Sequence, residues 1–276
     1  GVAMTRFMMW LKNSDKEGLN EYDVKVKVNR FRLEYKAFDL SFNTIVGYDA
    51  NAAMMHYSPT EYNNTALHNH GILLIDSGGQ YFEGTTDITR TFALGEVSAE
   101  VKMYFTLVLK SMFNLASVRF LKGMDGSQLD ILARKDLWER GIDYRCGTGH
   151  GVGHVLAVHE MPPNVRPSHS ESSNTPFKVG NVFSDEPGVY FEGKFGIRCE
   201  NLLLCKKAFK NEYGQFLEFE HLTMVPFDLD LVDPQYLDEK TIALLNEYHA
   251  AVYQNLAPYL NEEEKAFLAH ATRRIA

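Results

Sequence analysis

Residues 71–92 read GILLIDSGGQYFEGTTDITRTF. The run 71–76 is apolar until it ends in Asp76, the pattern of a buried strand. Ser77-Gly78-Gly79 supplies turn chemistry and residues 88–92 carry a second strand, so a hairpin would bring Asp76 and Asp87 to one end of a sheet. A buried carboxylate pair is costly. Like charges close together in a low-dielectric setting share a proton, pair with cations or bind metal. Read singly, Asp76 could be a turn residue and Asp87 a partner for Arg90.

Working outward, residues 22–35 mix charged and apolar positions at near-helical spacing, and residues 41–57 shift to β-branched and small residues, which predicts helix then strand. The apolar stretch at 2–11 is interrupted by Thr5 and Arg6 and is too short to span a bilayer or to make a convincing signal peptide. Ser98 opens a long amphipathic helix running to residue 120, and Ser127 with Asp130 opens another running to residue 140. From Arg145 the composition turns to glycine and histidine, and residues 162–176 read as a polar loop bearing proline and serine. Residues 182–183, 188–191, 196–205 and 217–226 follow as an antiparallel set. Residues 238–255 are helical, and Asn261 with three glutamates begins a last helix. The order of elements indicates an α/β (α+β) chain with two similarly built halves.

The 276 residues, 45% of them hydrophobic, suffice for one large domain or two small ones. A formal charge of −8, with signs interspersed, leaves no footprint for phosphate backbones or anionic lipid, so neither nucleic acid nor membrane is an expected partner. Cys146, Cys199 and Cys205 lack CxxC spacing, which argues against a disulfide framework or a structural zinc site and for a reducing, cytoplasmic setting.

Residues 147–154, GTGHGVGH, place His150 and His154 four apart. Four glycines in eight residues disfavour helix, by nearly ~1 kcal/mol each, so strand or turn is expected. In a strand the two histidines would lie about 13 Å apart, too far for one ion, and only one need be a ligand. His159 returns after a short apolar run. Glu186 sits in SDEPGVY, and Glu200 interrupts the apolar run GIRCENLLL with Arg198 two residues before it as a same-face partner. Carboxylates thus end or interrupt apolar strands at Asp76, Asp87, Glu186 and Glu200, with histidines between. One cluster is a better account than four accidents. Such a set suits two divalent ions such as manganese, cobalt or zinc, and the chemistry it allows is hydrolysis.

The segments 41–57, 73–92, 147–160, 185–204 and 219–233 resemble, in order and spacing, the pita-bread metallopeptidase family, which includes methionine aminopeptidase, prolidase, creatinase and aminopeptidase P. They are most similar to the aminopeptidase P (X-Pro aminopeptidase) branch. The resemblance covers nearly the whole chain. It implies two pseudo-symmetric halves, roughly 1–125 and 126–232, with a curved, mainly antiparallel sheet flanked by helices and a helical tail at 233–276. It implies a single catalytic domain over 1–276, a homodimer, and N-terminal domains preceding a chain that starts at Gly1.

By the same resemblance Asp76, Asp87, His150, Glu186 and Glu200 are metal ligands, with Asp87 and Glu200 bridging two ions, Mn2+ being the expected metal. His56 and His159 contact substrate, and Glu186 doubles as proton carrier. Tyr190 and Arg198 match residues that support the site, and His154, at a position where the family varies, is read as a residue of the cleft or its surroundings. The implied reaction releases the N-terminal residue from peptides with proline second, through a metal-bridging hydroxide; the alternatives are a prolidase-type Xaa-Pro dipeptidase or a non-catalytic binding module. Cys146 is a departure, because relatives usually carry histidine four residues before the histidine ligand.

Overall fold

The computed structural model describes residues 1–155, 157–168 and 175–276. The apolar stretch at the start is helix α1 (Val2–Asn13), which buries Met4, Phe7, Met8 and Leu11. Helix α2 (Glu21–Glu34) opens on a capping box between Asn20 and Asp23 and adds Val24 and Val28 to the same core. Extended structure in 41–57 is shorter than expected. After β1 (Asp39–Leu40) comes β2 (Ile45–Tyr48), and the chain then enters a 3-10 turn over Asp49–Ala53. The cause is local: the Glu21 carboxylate accepts from Tyr48 N, Asn51 Nδ2, Tyr57 OH and Thr65 N, drawing the segment around a buried side chain instead of along a ladder.

The hairpin at 71–92 forms as β3 (Ile72–Ser77) and β6 (Ile88–Ala93), with Asp76 opposite Thr89. The turn expected between them is itself a small hairpin, β4 (Gly79–Tyr81) and β5 (Gly84–Thr85), with β1 against β4. Gly78 permits the crossing, because a Cβ there would lie 1.9 Å from Thr86 O. Strands β2, β3 and β6 make one sheet. Helix α3 (Ala99–Ala116) starts at Ser98 as expected, the hydroxyl accepting from Val101 N. It stops short of residue 120, because β7 (Arg119–Leu121) is taken into a second sheet.

Ser127 is not the next cap. Asp125 accepts from Ser127 N and Gln128 N to open α4 (Gly126–Leu129), and α5 (Ile131–Trp138) follows directly. The glycine-rich stretch is strand β8 (Gly149–Val152), and β9 (His159–Val165) pairs with it. The loop expected over 162–176 therefore begins later. Pro162 and Pro163 sit in an edge strand, where a missing N–H leaves no gap in a central ladder, and residues 169–174 lie outside the described set. The expected strand over 196–205 breaks at Cys199 and Glu200. On one side β12 (Phe195–Arg198) pairs with β11 (Gly188–Phe191); on the other β13 (Asn201–Asn211) pairs with both β10 (Val182–Asp185) and β14 (Gly214–His221). The six-stranded sheet runs β7-β14-β13-β10-β8-β9, with antiparallel neighbours.

Helices α6 (Glu239–Leu256) and α7 (Glu262–Ala271) close the chain, capped by Asp238 and by an Asn261–Glu264 capping box as the sequence anticipates. No helix among the described residues is long and apolar enough to cross a membrane. Helix α6 sets His249 so that its Nε2 accepts from Phe227 N at 3.1 Å, and His221 lies against Tyr248. Burial, then the Arg90 charge, pulls His221 down to about 4 and His249 down to about 3. Both values lie below the unfolded histidine value, so the stability these groups contribute is present above pH ~6.5 and is lost as pH falls toward 4. In that window each histidine should steepen the decline by about 1.4 kcal/mol per pH unit. Urea denaturation between pH 4.5 and 6.5 should show His249→Gln reducing the slope relative to wild type; parallel lines would contradict the assignment.

Candidate metal centre

The two sheets meet at Asp76, Asp87 and Glu200. Asp76 lies in the last turn of extended chain in β3, Asp87 immediately precedes β6, and Glu200 occupies the break between β12 and β13. Each offers a carboxylate oxygen, and these atoms lie within 4.8 Å of one another, all on buried residues. His150 on β8 points Nε2 at Glu186 Oε1, 3.2 Å away, and at Asp87 Oδ2, 3.5 Å away. Its Nδ1 lies 2.9 Å from Gly151 O, which fits a hydrogen on Nδ1 donated to that carbonyl and leaves Nε2 as the ring atom that faces the carboxylates. The structure therefore brings together the five side chains named from the sequence.

Arg198 does not partner Glu200 as its same-face position suggested. Because β12 ends at Arg198, the chain turns before Glu200, and Arg198 Nη2 instead meets Asp76 Oδ2 at 2.6 Å. Arg198 also donates to Thr89 Oγ1 and to Tyr190 OH. Nor does Arg90 partner Asp87; its guanidinium is spent on Glu200 O, Val225 O, Pro226 O, Asn201 Oδ1 and Tyr248 OH. Glu200 Oε2 accepts from Thr89 Oγ1 at 2.6 Å. Thr89 and Ser184 were missed in the sequence. Thr89 had a legible signal, standing two residues after Asp87 and so on the same strand face.

Burial, then the neighbouring carboxylates, pushes Asp87 and Glu200 well above the ordinary carboxylate range. Asp76 is raised by burial despite the Arg198 charge. Burial pulls the His150 imidazole down, but its hydrogen bond and attraction to Glu186, with Asp87, outweigh that and push it up to about 9. Three crowded acids and one imidazole form an electron-rich pocket short of positive charge. Asp76 Oδ1 is buried with no hydrogen-bond partner among the described residues. An orphaned carboxylate oxygen beside two further acids, with His150 Nε2 turned toward them, fits a divalent cation that takes oxygen and nitrogen ligands and would displace the proton on Nε2.

The five line a cleft of about 280 Å³, together with His56, Cys146, His159 and Tyr190. His159 stands edge-on to His150, ring centroids 4.2 Å apart. Burial, then the His150 charge, lowers the His159 pKa, so the ring is neutral near pH 7. His154 lies elsewhere, in the wall of a separate cavity of about 560 Å³ behind Asp87.

The raised Asp87 carboxyl gives a test without substrate. Its folded pKa exceeds its unfolded one, so the stability of its neutral form is full at low pH and lost as pH rises through the folded value. Asp87→Asn cannot ionise. In chelator at pH 8 it should make the chain more stable than wild type by about 1–3 kcal/mol in urea denaturation, with the gain absent at pH 4. Equal stability at both pH values would show that ionising this buried carboxyl beside its acidic neighbours carries no cost.

Comparison with known proteins places these features in a family. Residues 1–207 match the model of metallopeptidase family M24, and residues 215–275 match that of the C-terminal region of peptidase M24. A probable Xaa-Pro aminopeptidase P of Paracoccidioides brasiliensis (strain Pb03) is 42% identical over 271 residues, 96% of this chain and 44% of the relative. The crystal structure of an X-prolyl aminopeptidase from Caenorhabditis elegans, described as a cytosolic enzyme with a di-nuclear active site, superposes with a TM-score of 0.92. It is 37% identical and covers 99% of this chain and 46% of that one. An Xaa-Pro dipeptidase from Bacillus anthracis follows at 25% identity and a TM-score of 0.68, covering 82% and 59%. The chain spans less than half the length of the curated relatives it matches. Its α/β architecture is the pita-bread fold, with antiparallel sheets flanked by helices, as the sequence implied. With the family model covering residues 1–207 and this fold, the chain belongs to metallopeptidase family M24.

Proposed function

We propose that residues 1–276 form the catalytic unit of a dinuclear X-Pro aminopeptidase, organised as halves at about 1–125 and 126–232 with a helical tail at 233–276. The observation that carries this reading is the convergence of Asp76, Asp87, His150, Glu186 and Glu200 on one cleft. The five residues would hold two divalent ions, for which Mn2+ is our choice. Bound there, the ions would supply a water of lowered pKa and Lewis acidity for the scissile carbonyl. On this reading Glu186 takes a proton at its carboxylate and passes it to the leaving amine.

His159, neutral and exposed in the lining of the cleft, donates an N–H to the substrate carbonyl oxygen as charge develops on it, and His56, lining the same cleft, orients the peptide. Tyr190 OH, fixed by Arg198, and the half-buried Cys146 shape the floor of the cleft. We place the enzyme in the cytosol as a homodimer, in keeping with the description of the C. elegans neighbour as cytosolic.

The prolidase-type reading draws on the 25%-identical dipeptidase neighbour, and peptide length separates the two. With Mn2+, an Xaa-Pro-Xaa tripeptide should lose its first residue at least as fast as Gly-Pro is split. Hydrolysis restricted to the dipeptide would favour the prolidase, and Asp87→Asn should abolish Mn2+-stimulated turnover of either. His159→Ala should lower kcat roughly 10²–10³-fold with Mn2+ content unchanged, the loss expected for one oxyanion donor. Undiminished kcat would relieve His159 of that role.

A further inference from the structure

The carboxylates and imidazole divide by support. Asp76 and Glu200 are braced by Arg198 and Thr89 from β12 and β6, while Asp87 stands between them and His150, its Oδ2 3.5 Å from His150 Nε2. His150 and Glu186 are braced from a different quarter. His150 N donates to Ser184 Oγ at 3.0 Å, and that hydroxyl donates to Glu186 Oε1 at 2.9 Å. Glu186 N donates to Thr148 O at 2.8 Å, so the backbone of residue 148 sets where β8 stands against the start of the Glu186 segment. A Cβ at Gly149 would lie 1.8 Å from Ser184 O, which leaves these two strands no room to slide.

Thr148 is itself held by a buried polar network with no atom in the cleft. Its hydroxyl donates to Asp130 Oδ1 and takes hydrogens from Arg134 Nη2 and from Tyr144 OH. The direction follows from the donor inventory: arginine only donates, and the one threonine proton is used on Asp130, which leaves Tyr144 as donor. Arg134, 1% exposed, pairs with Asp130, donates to Tyr144 O and Cys146 O, and stacks on the Tyr144 ring at 3.9 Å. One guanidinium from α5 therefore fixes the backbone at 144 and 146, and through Thr148 the positions of His150 and Glu186.

We propose that Thr148, locked by Asp130, Arg134 and Tyr144, is a positioning residue for one of the two metal subsites only, the one that draws on His150 and Glu186. The proposal rests on the dinuclear reading above. It predicts unequal damage. Titration calorimetry of the metal-free chain with Mn2+ should give two ions for wild type. Thr148→Val keeps the shape and removes the hydroxyl; it should weaken one of the two ions at least tenfold and leave the other within about threefold. Thr148→Ser restores the hydroxyl and should restore both, which a purely space-filling role would not produce. Should Thr148→Val fail to fold by circular dichroism, Tyr144→Phe removes one hydrogen bond to the same hydroxyl and should weaken the same ion to a smaller degree. Equal weakening of both ions, no weakening, a serine variant as impaired as valine, or fewer than two ions in wild type would each overturn the proposal. Two ions bound by a wild-type chain that cleaves no Xaa-Pro peptide would remove the peptidase reading and leave the calorimetric comparison standing.

Discussion

Asp76, Asp87 and Glu200 hold carboxylate oxygens within 4.8 Å of one another at a buried seam, and their repulsion falls on strands from two different sheets. Nothing in packing favours that arrangement. The side chains come from β3, from the residue ahead of β6 and from the break between β12 and β13, so relieving the repulsion would mean parting the sheets. One arginine, Arg198, offsets part of the charge on Asp76 and leaves the second oxygen of that carboxylate without a hydrogen-bond partner among the described residues. The remaining deficit is what a cation would supply.

The seam stays closed because neutral and cationic donors are allotted to backbone acceptors at the same place. Arg90 is fully buried and spends its hydrogens on carbonyls of Thr89, Glu200, Val225 and Pro226, with its face on the Phe227 ring at 3.8 Å. Thr91 Oγ1 donates to Arg198 O, and Glu200 N donates to Thr89 O. These bonds join β6 to the 198–200 corner independently of the carboxylates. Arg90 also reaches Tyr248 OH on α6, which ties the C-terminal helix to the strand that follows Asp87.

The order of elements was legible because apolar runs and caps are local signals: the run at 71–76, the Ser98 cap and the Asn261 cap each act within a few residues of themselves. What was illegible depended on distant partners. The turn at 49–53 is organised by Glu21, the end of α3 by the demand of β14 for a neighbour, and the split at Cys199 and Glu200 by two strands pairing in different sheets. Arg198 illustrates the limit best. Spacing put it on the face of Glu200, but spacing assumes an unbroken strand, and the break that places Glu200 at the seam also turns Arg198 toward Asp76. The site residues were readable as a set because a carboxylate in an apolar strand is anomalous wherever its partner lies.

The division of support within the centre follows from the same topology. Asp76 lies in the β2-β3-β6 sheet and Asp87 leads into it, His150 lies in the six-stranded sheet with Glu186 directly after its strand β10, and Glu200 joins β12 of the β11-β12 pair to β13 of the six-stranded sheet. A cation bound by ligands from both sides does more than neutralise charge. It would replace a repulsion across the seam with an attraction, so that ion binding and closure of the seam would become one equilibrium. Rigid bracing of each half is then a requirement rather than an embellishment, because ligands that could relax separately would satisfy an ion from one side alone. Arg198 with Thr89 braces Asp76 and Glu200 on one side, and Asp130, Arg134 and Tyr144 hold Thr148 beside the His150 strand on the other.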